Sequence, residues 1–119
     1  NRQSKNRYFV VLNKNPKTDT ALILITSTTQ VAKRKEFVQR AGISEKTIVS
    51  VSPSEYGVFN NESAFNCNDI IEVHMTDLIR KVEEDGSMNY PKIPDGILAK
   101  LIIGINLSPR ISQAIKNLL

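Results

Sequence analysis

Strand-forming runs open this chain and apolar helices close it, and that order limits the fold more than any other feature. Tyr8–Leu12 reads YFVVL and Ala21–Thr29 reads ALILITSTT, both dense in β-branched or aromatic residues. Between them, Asn13–Asp19 (NKNPKTD) supplies the Asn, Pro and Asp that turns use. The three segments together predict an antiparallel hairpin. Thr47–Val51 predicts a third strand, and Ser63–Cys67 and Ile70–His74 predict two short ones around Asn68 and Asp69.

Helical spacing takes over late in the sequence. Gln30–Ala41 reads as a helix or an irregular loop stopped by Gly42. Thr76 can cap a helix running to about Asp85, with Leu78, Ile79 and Val82 on one face. Pro94 sits at the first turn of a helix that buries Ile97, Leu98, Leu101, Ile102 and Ile105. Ser108 is expected to cap a last helix, with Pro109 at its first position. Strands first and helices last predict an α+β domain, a small antiparallel barrel or sheet covered by C-terminal helices. No glycine pattern for cradling phosphates occurs, which argues against a doubly wound nucleotide-binding fold.

Composition narrows the setting. The chain has 119 residues, enough for one domain spanning 1–119, and its 40% hydrophobic and 24% charged residues are those of a folded protein. No apolar run approaches the roughly 18–20 residues that span a bilayer, so no membrane role is expected. Cys67 is the sole cysteine, which excludes an intrachain disulfide and suits a reducing cytoplasm. With a single His as well, a His/Cys zinc site is excluded, and no metal or cofactor is expected. The chain opens at Asn1 without Met or an apolar signal segment, so it is read as a fragment. A small, mostly aliphatic core favours further burial through a homodimer.

Charge is unevenly spread. Residues 1–40 carry nine basic and two acidic groups, whereas residues 41–119 carry seven basic and ten acidic ones. A basic pole attracts polyanions, nucleic acid first among them; the plainer alternative is a set of solvated lysines. Thr26, Ser27, Thr28 and Thr29 end the second strand and lead straight into Lys33, Arg34 and Lys35. Thr26 and Thr28 share a face by strand alternation, and hydroxyls beside cations can hold phosphate oxygens. High β propensity explains the threonines equally well. His74 is the one candidate general acid or base, although a lone imidazole at a strand end more often serves the fold. Cys67 reads as a small core residue rather than a nucleophile.

Three segments, in order, resemble the MazF/PemK (CcdB-like) toxin family. They are Arg7-Tyr8-Phe9-Val10-Val11-Leu12, then Leu24-Ile25-Thr26-Ser27-Thr28-Thr29-Gln30, then Ser63-Ala64-Phe65-Asn66-Cys67-Asn68-Asp69-Ile70-Ile71. Leu78 and the Leu/Ile-rich C-terminal helix also fit. Each motif is short; their order and spacing over about residues 7–105 carry the likeness. The resemblance implies a small SH3-like antiparallel β-barrel with C-terminal helices that dimerises. It implies a toxin neutralised by a protein antitoxin. It further implies metal-independent cleavage of single-stranded RNA by 2′-OH attack, leaving 2′,3′-cyclic phosphate and 5′-OH ends. Arg7 would be the main electrostatic group and a candidate proton donor, and Thr26 or Thr28 would hydrogen-bond the scissile phosphate. Ser27, Lys33, Arg34 and Lys35 would hold RNA.

The chain also departs from the family. Tyr8 stands where the family has Pro, Ile71 where an Arg assists phosphate binding in some members, and His74 at an otherwise acidic end. The family's first strand has no counterpart before Arg7. His74 is therefore a candidate substitute acid or base. Two further readings stand beside the nuclease: a catalytically degenerate barrel that binds nucleic acid or protein, and a purely structural dimeric domain.

Overall fold

The computed structural model describes residues 8–15, 21–77, 80 and 93–119. Arg7 and the helix residues Leu78, Ile79 and Val82 lie outside the described residues. The expected hairpin is present: β1 (Phe9–Val11) pairs antiparallel with β2 (Ala21–Thr28), with Val10 opposite Ile25. Asn13 closes it from the side. Its amide donates to the Ala21 carbonyl and its Oδ1 accepts from the Ile23 N–H at 2.6 Å, so a buried side chain completes a strand-like pairing beyond β1.

Gly42 stops α1 (Val31–Ala41) as expected. It takes the left-handed conformation, φ 72°, and the following Ile43 N–H reaches back to the Val38 carbonyl. A 3₁₀ turn, Glu45–Thr47, feeds β3 (Ile48–Val51). The two short strands expected around Asn68 and Asp69 are one, β4 (Ser63–His74). It runs antiparallel to both β2 and β3, giving an open sheet of order β1-β2-β4-β3. Among the described residues, β1 and β3 are the sheet's two edges and the sheet is not closed into a barrel.

The Asn68-Asp69 signal that suggested a break marks an irregularity instead. Ile25 pairs with Ile70 but Ser27 with Phe65, so Asn66, Cys67, Asn68 and Asp69 face the single residue Thr26 across the β2–β4 seam. The extra residues bend β4 without ending it.

The late helices are α2 (Asp95–Leu107) and α3 (Gln113–Lys116). Ser108 does not cap α3; Ser112 does, accepting from the Ile115 N–H. Ser108 is instead buried at the C-terminal end of α2, because its hydroxyl has a partner on β4. Ile97, Leu101 and Ile105 of α2 pack on one face of the sheet with Ile23, Ile25, Val49, Phe65 and Cys67. On the other face Val38 of α1 packs against Ile48 and Ala64. Among the described residues no helix is long and apolar enough to cross a membrane.

Gly104 sets the depth at which α2 seats. A Cβ there would lie 2.7 Å from Cys67 Sγ and 2.8 Å from the Lys46 carbonyl oxygen. Gly104→Ala is expected to lower stability by about 1–3 kcal/mol, since backbone on one side cannot yield, and a denaturant midpoint measures it. Cys67 is wholly buried, and that burial pushes its thiol up to about 12. The folded chain therefore keeps a proton that the unfolded chain releases near 9.0, so stability should fall as pH rises from about 9 towards 12. At pH 8 the native thiol should resist alkylation and react only on unfolding.

Candidate functional site

The hydroxyl cluster stands at one end of the sheet. Thr28 pairs with Ala64, which packs under α1, so Thr28 belongs to the α1 face; Ser27 pairs with Phe65 of the opposite core. Thr26, Ser27 and Thr28 are all partly exposed. Thr28 Oγ1 accepts from the Gln30 N–H at 3.1 Å, which ties the strand end to the start of α1. The hydroxyl cluster and the basic helix are thus adjacent through two residues of chain.

β1 brings a second segment to the same place. The Ser27 N–H donates to the Tyr8 carbonyl at 2.9 Å, and Phe9 pairs with Thr26. Tyr8, where the resembling family has Pro, is held by its ring. It meets Tyr56 and Phe59 edge-on at 5.4 and 5.6 Å, and its hydroxyl shares a 2.6 Å hydrogen bond with that of Tyr56. Arg7 precedes this anchored residue and lies outside the described residues.

His74 is not brought to the cluster. It pairs with Ala21, at the far end of β2 from Thr28. With about 3.3 Å of rise per residue, the seven steps from Ala21 to Thr28 amount to roughly 20 Å. The cause is the unbroken course of β4, which carries its C-terminal end away from the hydroxyls.

A hollow of about 300 Å³, open to solvent, lies on the α1 side, lined by Arg34, Phe37, Asn66, Asn68, Asp69 and Arg110. Of the three basic residues expected to hold RNA, Arg34 lines this hollow, while Lys33 and Lys35 are exposed on α1 and do not. Arg34 and Phe37 share a helix face at i and i+3. The Arg110 guanidinium lies over the Phe37 ring at 5.0 Å.

Asn68 holds this hollow in shape. Its Nδ2 donates to Thr47 Oγ1 at 2.9 Å and to Asn66 Oδ1 at 3.1 Å, and its Oδ1 accepts from Ser108 Oγ. Ser108 Oγ in turn accepts from the Arg110 N–H at 3.2 Å. One buried amide therefore joins the β4 bend, the turn before β3 and the end of α2. Asn66 also accepts from the Asn68 N–H at 3.0 Å, so its Oδ1 is committed to β4.

Asn66, Asn68, Asp69, Phe37 and Arg110 were not expected as site residues. Asn68 and Asp69 carry a signal, two polar residues between apolar strand halves, which separates the two short strands expected there. Arg110 carried none, because its place depends on the Asn68–Ser108 contact. Among the described residues, no group of three or more His, Cys, Asp or Glu side chains could hold a metal ion. No family model matches the sequence, and comparison with curated proteins returns no match.

Removing the central amide should be costly. Asn68→Ala leaves Thr47 and Ser108 without their buried partner and is expected to lower stability by about 1–3 kcal/mol in a denaturant titration.

Proposed function

We propose that this chain is a MazF/PemK-like endoribonuclease that cleaves single-stranded RNA by attack of the ribose 2′-OH on the adjacent phosphate. The observation that carries the reading is the Ser27–Tyr8 hydrogen bond. It sets the residue that follows Arg7 beside the hydroxyl-rich end of β2, from which the basic helix α1 immediately departs. An SH3-like barrel that dimerises and a protein antitoxin as inhibitor belong to the same proposal, as does action in the cytoplasm. The register irregularity in β4, a strand shared by β2 and β3, is the feature of the sheet that fits such a barrel.

The substrate supplies its own nucleophile. As the 2′-oxygen bonds to phosphorus it loses its proton to solvent. The bond to O5′ breaks, and O5′ takes a proton from water, leaving a 2′,3′-cyclic phosphate and a 5′-OH. The phosphorane-like state carries more negative charge than the diester, so a fixed guanidinium and hydroxyl donors lower its energy more than that of the ground state. Arg7 takes the first role and Thr26 or Thr28 the second. Arg34, Lys33 and Lys35 hold the strand, with Ser27 beside them. His74 is too far along the sheet to share in the reaction.

The distance of His74 also favours a second reading, a degenerate barrel that binds RNA without cutting it, since the hydroxyl cluster then has no imidazole. One experiment separates the two. The protein is incubated with single-stranded RNA in EDTA and the product ends are mapped. Cyclic phosphate ends that disappear with Arg7→Ala support the nuclease. Intact RNA, retained by the protein with a steep loss of affinity in salt, supports the binding module.

A further inference from the structure

The hollow between α1 and the bend of β4 has a chemistry of its own. Arg34, Arg110 and Asp69 all line it, yet among the described residues the one ion pair within 4.0 Å is Glu36–Arg40 on the outer turn of α1. The two guanidiniums and the carboxylate therefore face the same space without neutralising one another. Asn66 adds a donor: with Oδ1 occupied by the Asn68 N–H and Nδ2, its own Nδ2 is left for a ligand. The Arg110 guanidinium lies over the Phe37 ring, itself 40% exposed, with its carbon 5.0 Å from the ring centroid. The hollow thus offers a flat stacking surface, amide and guanidinium donors, and one carboxylate acceptor.

A bare anion fits this poorly, because Asp69 opposes it. A planar heterocycle with acceptors beside donors fits well. Stacking on an aromatic or guanidinium plane together with readout of an unpaired base edge is how proteins read single-stranded RNA. A carboxylate further selects among the bases. Guanine alone among the four bases presents two neighbouring donors on its pairing edge, N1–H and N2–H, which one carboxylate can accept together. Its O6, next along that edge, is an acceptor for Asn66 Nδ2 or a guanidinium. The hollow, about 300 Å³, is open to solvent, so a base lying in it keeps part of its surface exposed.

The geometry points to a guanine-binding subsite in this hollow, with Asp69 reading the N1–H and N2–H edge, Asn66 supporting O6, and Arg110 on Phe37 as the stacking plane. This inference rests on the reading of the chain as an RNA-binding protein, and gives that reading a base preference. Thr28 and Asn66 belong to the same side of the sheet, since Ala64 pairs with Thr28 and precedes Asn66 by two residues. A base held in the hollow therefore lies on the hydroxyl side of the strand end.

Binding is measured with 2′-O-methyl pyrimidine oligonucleotides carrying one guanosine, inosine or adenosine; these cannot be cut by 2′-OH attack. Inosine keeps N1–H and O6 and lacks only the N2 amine. The guanosine oligonucleotide is expected to bind about tenfold more tightly than the inosine one, the worth of one hydrogen bond to a carboxylate, and by a larger factor than the adenosine one, which lacks both donors. Asp69→Asn changes an exposed side chain without altering its size, and should bring the guanosine-to-inosine ratio close to one. Equal binding of guanosine and inosine oligonucleotides by the unaltered protein overturns the subsite, as does a ratio that Asp69→Asn leaves intact. A guanosine preference together with intact unmodified RNA keeps the subsite and removes the nuclease. Cleavage with no base preference at this position does the reverse, and absence of binding to any oligonucleotide removes both.

Discussion

The side-chain amide of Asn68 is the interaction on which the described structure turns. It is 8% exposed, and three hydrogen bonds account for its two amide hydrogens and its oxygen. Its partners come from separate parts of the chain: the bend of β4, the turn before β3 and the end of α2. A buried amide with fewer partners would cost more than it contributes, so the three elements must arrive together. Cys67 and Gly104 reinforce the arrangement next door. The thiol donates to the Leu101 carbonyl at 3.6 Å, and the absence of a side chain at Gly104 lets the helix approach the strand.

That junction explains why polar residues sit within an otherwise apolar strand. Cys67 faces the core while Asn66 and Asp69 reach the hollow, and Ser108 orients the backbone from which Arg110 leaves. The same few contacts that seat α2 therefore shape a surface cavity lined by side chains from α1, β4 and the α2–α3 connection. Within that lining, the side-chain amides of Asn66 and Asn68 are the groups held in place by hydrogen bonds.

Local packing accounts for the residues at the two ends of the sheet. Tyr8 is anchored by edge-on ring packing against Tyr56 and Phe59. Ile71, 44% exposed, faces Leu24 across the seam, on the stretch of β4 that leads away from the hydroxyl cluster towards His74. Positive charge at the hydroxyl end comes from Lys33, Arg34 and Lys35 of α1, a helix whose only buried side chain is Val38.

The sequence by itself determined the hairpin, the stop of α1 at Gly42, the apolar face of α2 and the basic character of the first third. Each rests on residues close together in the chain: β-branched runs, a glycine free to take positive φ, apolar spacing, and a count of charges. The site was legible in part. Thr26, Ser27, Thr28 and Arg34 could be named because they follow one another along one strand and into one helix. Only the tertiary structure decided that β4 bends without breaking, that Ser108 serves Asn68 instead of capping α3, that His74 stands far from the hydroxyls, and that Arg110 shares a hollow with Asp69. Those outcomes depend on contacts between residues some twenty to forty positions apart, such as Asn68 with Thr47 and with Ser108. No local pattern encodes them, because a buried amide selects its partners by what folding brings within hydrogen-bond reach.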